Sequence, residues 1–362
     1  MRSTNHRSRF LLAAAVPLVG LGGACASDAR QDSLDPQGPV AHQIDDLFMP
    51  IFIVAGLVGV LVMGLVIASI IRHRERPGRP EPVQVHGNTK LEIGWTAAPA
   101  LLLLFVAVPT VNTIFELDEE PDGNPLQVEV YGHMWWWEYK YPDLAVTTAN
   151  ELHIPTGRPI RLELRSIEPG IPAPPGVEIS AGVIHSFWVP KLAGKQDVVP
   201  GRVNKLTLEA SEPGTYFGQC AEYCNLAHAD MRLRVIAQSP GDFDRWVDEQ
   251  KQPAEEPGGG EEAEGFELFT GKGGCVSCHS VDGIEGAEAR VGPDLTHLQS
   301  RETFGGATFE LNPDNLRRWV TNPSSMKPMR PEEGTGMPAR GAAGSLTDEE
   351  IDKIVAYLRT LE

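Results

Sequence analysis

The sequence predicts three parts: a membrane hairpin of two transmembrane helices, an all-β barrel, and a small all-α domain. Two apolar runs, 47–71 and 93–115, are each long enough to cross a bilayer, which needs roughly 20 apolar residues. Short stretches that alternate apolar and polar residues follow between 126 and 236, and helical patterns return near the C-terminus. These observations divide the chain into a signal peptide at 1–26, the transmembrane hairpin at 42–116, the β-barrel at 117–250, a linker at 251–265 and the all-α domain at 266–362.

The first 26 residues have the pattern of a signal peptide. A basic start precedes a short apolar run, 10–24, which ends in small residues. The run ends with Leu-Gly-Gly-Ala-Cys25, which loosely resembles a bacterial lipoprotein box with Cys25 as the lipidated residue. Cleavage without lipidation, for example after Ala26, is the alternative.

The loop between the two spans is basic, and acidic residues follow the second span. Because positive charge favours the cytoplasmic side, we expect both ends of the hairpin, and everything after 116, to face outward. This predicts a multi-pass protein of the bacterial plasma membrane, and the alternative is a buried hairpin in a soluble protein. The loop charges are Arg72, His73, Arg74, Arg76, Arg79 and Lys90.

The whole chain is acidic, with a formal net charge of −18, which argues against nucleic acid as a partner. Residues 116–248 contain 20 acidic and 11 basic side chains, and residues 266–362 contain 15 and 10. Both exported domains are therefore acidic, so net charge does not bring them together.

The exported part changes from strands to helices along the chain. Strand patterns at 126–130, 160–164, 203–208 and 231–236 predict a sandwich or a Greek-key barrel. Helical patterns follow at 265–270, 313–321 and 348–361. The last helix is predicted to begin with a capping box of Thr347 and Glu350.

One twelve-residue string holds a soft metal-ligand set. It is Cys220-Ala-Glu-Tyr-Cys224-Asn-Leu-Ala-His228-Ala-Asp-Met231, with two thiols, an imidazole and a thioether. This combination favours copper, and two neighbouring thiolates can bridge two copper ions that share one electron. A disulfide and a zinc site are the alternatives. However, a disulfide needs neither His228 nor Met231, and zinc has little use for a thioether.

With a histidine 35 residues before the first cysteine, this pattern is similar to the binuclear copper motif of cytochrome c oxidase subunit 2. The resemblance implies a cupredoxin-like β-barrel. It also implies that Cys220 and Cys224 bridge the coppers, that His185 and His228 each bind one, and that Met231 is a weak axial ligand.

Three further residues take roles from the same resemblance. Glu222 would give its backbone carbonyl to copper and its side chain to a Mg or Mn ion shared with the catalytic subunit. Trp135 would be the surface residue that receives the electron from cytochrome c. For Trp136 and Trp137 we instead expect packing at a barrel edge or a position at the membrane interface. Glu92 would stand at the mouth of a proton channel. The alternatives are that Glu222 is a solvated loop carboxylate, that Trp135 packs a barrel edge or lies at the membrane interface, and that Glu92 is an interfacial glutamate without a special role.

The tail contains a haem-attachment motif. Cys275-Val-Ser-Cys278-His279 has the C-x-x-C-H pattern, in which two thiols bind haem c covalently and the histidine binds the iron. The following Gly-Pro-Asp-Leu segment, 292–295, resembles the one whose proline carbonyl orients that histidine in small cytochromes c.

The sixth haem ligand should be a methionine, because His/Met ligation raises the potential. Met337, in Gly-Met-Pro-Ala, best resembles the ligand turn of this family, and Met329 is the second candidate. Met326 is expected to be a packing residue.

The resemblance implies subunit 2 of an aerobic respiratory cytochrome c oxidase with a fused cytochrome c. Its haem would accept electrons from an upstream cytochrome or bc-type complex. The copper centre would pass them to the haem–copper catalytic subunit 1, which reduces O₂ to water with proton pumping. The alternatives are a membrane-anchored copper–haem carrier outside an oxidase and a copper-assembly factor. The two spans and the lack of a large His-rich domain disfavour a nitrous oxide reductase.

Residues 251–265 are rich in Pro, Gly and Glu and are predicted to be a flexible linker. About 14 flexible residues span about 20 Å, which gives an effective concentration on the order of millimolar. We therefore expect haem-to-copper transfer to depend weakly on salt and to slow greatly when the linker is cut.

Overall fold

The computed structural model describes residues 29–78, 83–84, 86–166, 182–341 and 346–362. The predicted signal peptide, Cys25 and Arg79 lie outside the described residues.

Two long helices, α1 (Pro39–His73) and α2 (Thr89–Asp118), contain the predicted spans. Both are long and apolar enough to cross a membrane. The side chain of Asn88 begins α2 by accepting hydrogen bonds from the N–H groups of Lys90 and Leu91. The first turn of α1 meets the all-β domain, where Ala41 is buried.

The all-β domain is a sandwich of two five-stranded sheets, as the strand patterns predict. The strands are β1 Leu126–His133, β2 Trp136–Tyr141, β3 Val146–Ala149, β4 Glu151–Pro155, β5 Ile160–Arg165, β6 His185–Trp188, β7 Gln196–Val198, β8 Asn204–Leu208, β9 Gly214–Cys220 and β10 Arg232–Gln238. One sheet has the order β3-β2-β1-β5-β8 and the other β4-β10-β9-β6-β7. Most neighbours are antiparallel, but β1–β5 and β4–β10 are parallel.

The inner faces of the two sheets form an aromatic core that includes Trp137 and Phe187, whose ring centroids lie 5.4 Å apart. Helix α3 (Pro240–Gln250) closes one end of this core. Its Trp246 stacks on His153 of β4 with ring centroids 4.2 Å apart. The contact ties α3 to the sandwich.

The C-terminal domain contains helices α4 (Gly260–Thr270), α5 (Pro313–Thr321) and α6 (Asp348–Leu358). A two-stranded hairpin, β11 Thr303–Phe304 and β12 Phe309–Glu310, lies between α4 and α5. The predicted capping box of Thr347 and Glu350 is present at the start of α6.

The structure shortens the predicted flexible linker. Helix α4 begins at Gly260, so only 251–259 lack helix, and Ala254 N–H donates to Asp282 O at 2.9 Å. The prediction was wrong for 260–265 because Phe266 and Phe269 pack on Tyr357, with ring centroids 5.4 and 5.2 Å away. This packing outweighs the Gly- and Glu-rich composition.

Candidate copper and haem sites

The soft donors converge at one end of the sandwich because the end of β9 and the beginnings of β10 and β6 meet there. Cys220 ends β9, the next loop carries Cys224, and a short 3₁₀ turn, His228–Asp230, presents His228. Met231 directly precedes β10, and its carbonyl accepts from Cys220 N–H at 2.8 Å, which closes the loop. His185 begins β6, which pairs with β9.

The donor atoms are close enough to share metal ions. The two Sγ atoms lie 3.7 Å apart, and Cys220 Sγ lies 3.9 Å from His185 Nδ1. Cys224 Sγ lies 3.6 Å from His228 Nδ1 and 3.7 Å from Met231 Sδ. Tetrahedral metal–ligand bonds of about 2.3 Å hold two ligands about 3.7 Å apart, so these separations suit a metal centre.

Cys220 and Cys224 are free and buried, so no disulfide joins them. Hydrogen bonding from Cys224, aided by His185, lowers the pKa of the Cys220 thiol, which favours one thiolate before any metal binds. A thiolate beside a thiol, imidazoles and a thioether is chemistry that suits copper.

Glu222 faces the site with its main chain. Its carbonyl oxygen lies 3.2 Å from Cys220 Sγ, and its carboxylate accepts from Tyr223 N–H at 3.2 Å. The adjacent Tyr223 and Leu226 are exposed, with 69% and 40% of their surface accessible. The loop therefore presents apolar side chains on its outer side.

The haem-attachment motif lies on a 3₁₀ turn, Cys275–Ser277, next to a large cavity. His279 Nδ1 lies 2.8 Å from the carbonyl of Pro293, as the resemblance implied for the segment 292–295. A Cβ on Gly292 would lie 2.5 Å from His279 Cε1, so only glycine leaves room for this ring. With Nδ1 donating to Pro293, Nε2 is left to bind a metal.

The cavity has a volume of about 530 Å³ and is mostly apolar, which suits a haem. The Nε atom of the buried Arg301 has no hydrogen-bond partner among the described residues, although this side chain lines the cavity. Arg340 lines it as well. A cofactor with acidic groups would pair with these two cations, so the residues fit haem c.

The three candidate methionines occupy different surroundings. Met329 and Met337 both line the cavity, and Met329 Sδ lies so near Gly336 that a Cβ there would be 2.4 Å away. Met326 packs against the core of the C-terminal domain, as expected of a packing residue. The choice between Met337 and Met329 remains a prediction.

Trp135 lies between the two sites. Its indole Nε1 donates to the carbonyl of Cys224 at 2.7 Å, and Trp135 and His185 are both among the residues that line the haem cavity. The expectation of a surface residue was wrong, because Trp135 is only 3% exposed and the C-terminal domain covers it. Trp137 is buried in the sandwich core, and Trp136 stacks on His133 at 4.0 Å.

The two exported domains contact each other through buried polar groups that the sequence analysis did not single out. Glu151 of β4 accepts hydrogen bonds from the main-chain N–H groups of Glu302 and Thr303, at 3.1 and 2.8 Å. Lys327 donates to three carbonyl oxygens at the same interface. The sequence gives little sign of these two anchors, because Lys327 donates to main-chain carbonyls and Glu151 accepts from main-chain N–H groups.

Glu92 lies in the first turn of α2, where it is exposed. Its carboxylate accepts from the N–H of Asn88 at 3.1 Å, so within this chain it stabilises the beginning of the helix. It lies far along the chain from the metal-binding loop, on the membrane hairpin.

Three family models match consecutive parts of the chain. They are the transmembrane domain of cytochrome c oxidase subunit II over 29–113, its periplasmic domain over 126–238, and cytochrome c over 262–362.

The chain is similar to proteins that are named for the same oxidase subunit. Cytochrome c oxidase subunit 2 of Alkalihalophilus pseudofirmus is 36% identical over 368 residues, which cover 100% of this chain and 99% of that protein. The subunit 2 of Bacillus sp. strain PS3 is 33% identical over 308 residues, 80% of each chain. The crystal structure of the periplasmic domain of subunit II of cytochrome oxidase from Bradyrhizobium japonicum is 26% identical. The match covers 37% of this chain and 96% of the Bradyrhizobium japonicum domain, with a TM-score of 0.31.

The family implies copper in the sandwich, haem in the C-terminal domain, and a catalytic subunit of a haem–copper oxidase as partner. Together with the two apolar helices, it also implies a membrane-anchored protein with an extracellular domain. The chain belongs to the cytochrome c oxidase subunit 2 family, and it carries a cytochrome c domain at its C-terminus.

Proposed function

We propose that this chain is the subunit through which electrons enter an aerobic proton-pumping oxidase of the bacterial plasma membrane. An upstream cytochrome or bc-type complex would be the donor. The hairpin would cross the membrane twice, with both exported domains on the outer side. The catalytic subunit would reduce O₂ to water.

The observation that carries this proposal is the shared wall of the haem cavity. The motif of Cys275, Cys278 and His279 lines one side, and Trp135 and His185 line another. The indole of Trp135 also donates a hydrogen bond to the backbone of Cys224, so one buried residue lines the cavity and contacts the metal-binding loop. This supports Trp135 as the residue through which electrons enter the copper domain.

The copper ligands would form a binuclear set. Cys220 and Cys224 would bridge, with His185 and the carbonyl of Glu222 near one thiol and His228 and Met231 near the other, as the distances support. When bound, two coppers that share one electron, and a haem c, would supply the one-electron chemistry.

The protein would keep this loop rigid before and after each electron passes. Strands β9 and β10 fix both of its ends, and the indole of Trp135 holds the carbonyl of Cys224. A rigid, buried ligand set rearranges little when its charge changes, which is the property that fast transfer needs.

In the C-terminal domain, Cys275 and Cys278 would attach the haem and His279 would bind its iron. Pro293 holds the imidazole with Nδ1 occupied, which supports Nε2 as the ligand atom. We propose Met337 as the sixth ligand and Met329 as the second candidate.

Two carboxylates would serve the partner subunit. The side chain of Glu222 would bind a Mg or Mn ion at the contact with the catalytic subunit, and the exposed Tyr223 and Leu226 support a contact there. Glu92 would stand at the mouth of a proton channel that the catalytic subunit completes.

Copper stoichiometry and electron paramagnetic resonance test this proposal. The full chain should bind two copper ions, and its mixed-valence form should give a seven-line hyperfine pattern, because two equivalent nuclei share one electron. A four-line pattern would rule out the bridging thiolates. Failure to co-purify with a haem–copper catalytic subunit from mild detergent would instead favour a carrier outside an oxidase.

A further inference from the structure

Lys327 lies at the centre of the contact between the two exported domains. It belongs to the cytochrome c domain and is only 3% exposed. Its Nζ donates to Trp135 O at 2.7 Å and to Asp230 O at 2.8 Å, both in the copper domain, and to Gly305 O at 2.8 Å in its own domain.

These three carbonyls match the chemistry of a lysine ammonium. The group has three N–H donors and no acceptor, so three acceptors satisfy it fully. Two of the three acceptors are present only when the domains are docked. A buried cation without such partners is costly, so this side chain favours one docked geometry over others shifted by an ångström or more.

The acceptors of Lys327 are connected to the functional groups. Trp135 supplies one carbonyl while its indole holds Cys224 O at 2.7 Å. Asp230 supplies another and directly precedes Met231. The lysine therefore fixes both the indole and the metal-binding loop relative to the cytochrome c domain.

Gly306 is a second, independent sign of a tight fit. Its carbonyl accepts from Arg232 N–H at 2.9 Å, and its φ of +79° favours glycine. An added Cβ would lie 2.7 Å from both Trp135 O and Lys327 Nζ, and 2.8 Å from Asp230 O. No side chain fits between the domains at this point.

We propose that Lys327 is a positioning residue that locks the cytochrome c domain onto the copper domain at Trp135. Electrons then pass within one docked arrangement rather than during tethered diffusion. The inference rests on the proposed electron-transfer function, and it adds the residue that sets the geometry of that transfer.

The test uses the full chain in detergent, with a specific protease site in place of residues 255–258. After cleavage, size-exclusion chromatography measures whether the two fragments stay together at micromolar concentration. Wild-type fragments should co-elute. Lys327→Met keeps the length of the side chain and removes all three hydrogen bonds, so association should fall by about 100-fold or more.

Glu302→Gln is the matched control. Glu302 pairs with Arg234 across the same interface at 2.6 Å, but its side chain is 67% exposed, and exposed ion pairs contribute little. Its fragments should stay associated within about threefold of wild type. Gly306→Ala should separate the fragments as Lys327→Met does, through a clash instead of a lost donor.

A spectroscopic distance separates positioning from general stability. Pulsed electron paramagnetic resonance between ferric haem and the copper centre should give a narrow distance distribution in wild type and a broad one in Lys327→Met. The haem absorbance and the copper signal should persist in both.

Separation of the wild-type fragments on cleavage would overturn the proposal. The proposal would also be overturned if the Lys327→Met fragments associated as tightly as the Glu302→Gln fragments, within threefold. An equally narrow haem–copper distance distribution in Lys327→Met and wild type would overturn it as well. If Lys327→Met loses its haem spectrum, Gly306→Ala decides by the same criteria. A four-line copper pattern would overturn the proposed function while leaving the fragment association a valid test of docking.

Discussion

Acid should destabilise the copper domain through one buried histidine, His153. Its ring stacks on Trp246, and its Nδ1 lies 3.0 Å from Gln238 Oε1. Burial lowers the pKa of His153 from 6.5 to about 4. The folded domain therefore keeps the ring neutral at pH values where an unfolded chain would protonate it.

The direction and the size of the pH effect on stability follow from the difference between the folded and unfolded pKa values of His153. Because the folded pKa is depressed, the stabilisation is fully present above pH 6.5 and is lost as the pH falls through about 4. The full difference corresponds to about 3 kcal/mol of unfolding free energy, of which about 2 kcal/mol is lost by pH 5.

Denaturant unfolding of the full chain in detergent, followed by tryptophan fluorescence at pH 7 and pH 5, measures this loss. His153→Gln keeps a polar partner for Gln238 but does not titrate, so its stability should be about 2 kcal/mol less sensitive to this pH change than that of wild type. His86→Gln, on the exposed loop before α2, is the control and should behave as wild type. Equal pH dependence in His153→Gln and wild type would refute the reasoning.

The remaining predictions concern the cofactor ligands. Cys275→Ser should abolish two-link haem attachment while the copper signal survives, and loss of both centres would show that the domains do not bind their cofactors independently. Met337→His should lower the haem potential and remove the absorbance band of methionine ligation; if only Met329→His does so, Met329 is the ligand. Glu222→Gln should retain two coppers, because its carbonyl remains, but should lose the Mn²⁺ signal of the assembled oxidase.

The convergence of four soft donors in one loop was predictable because these residues are close together in the sequence. Cys220, Cys224, His228 and Met231 lie within twelve residues, and the strands on either side fold that string into one loop. His185 is different, since it lies 35 residues earlier and needed the family resemblance to be chosen. The pairing of β6 with β9 is what brings it to the site.

The docking of the two domains could not be predicted from the sequence. The net charges of the two domains did not predict their contact, because a few buried groups make the interface. Lys327 donates to main-chain carbonyls and Glu151 accepts from main-chain N–H groups, and no side-chain pattern reveals such partners. For the same reason the expected exposure of Trp135 was wrong, since the domain that covers it follows more than a hundred residues later.

The linker shows how tertiary packing changes an expectation drawn from composition. A tether of about 14 residues predicts slow transfer once it is cut, because the effective concentration is lost. The structure leaves nine irregular residues, 251–259, and adds an interface that does not depend on them. For the cut chain, a flexible tether predicts slow transfer from haem to copper, whereas a docked interface predicts a rate similar to that of the intact chain.

Flash-induced reduction of the haem, followed by the rate of copper reduction in intact and linker-cut protein at low and high salt, tests the account most directly. A docked interface held by Lys327 and Glu151 predicts similar rates in intact and cut chains at micromolar protein, with weak salt dependence because the contacts are buried. A rate that falls greatly on cutting would show that the tether, and not the interface, brings the haem to Trp135.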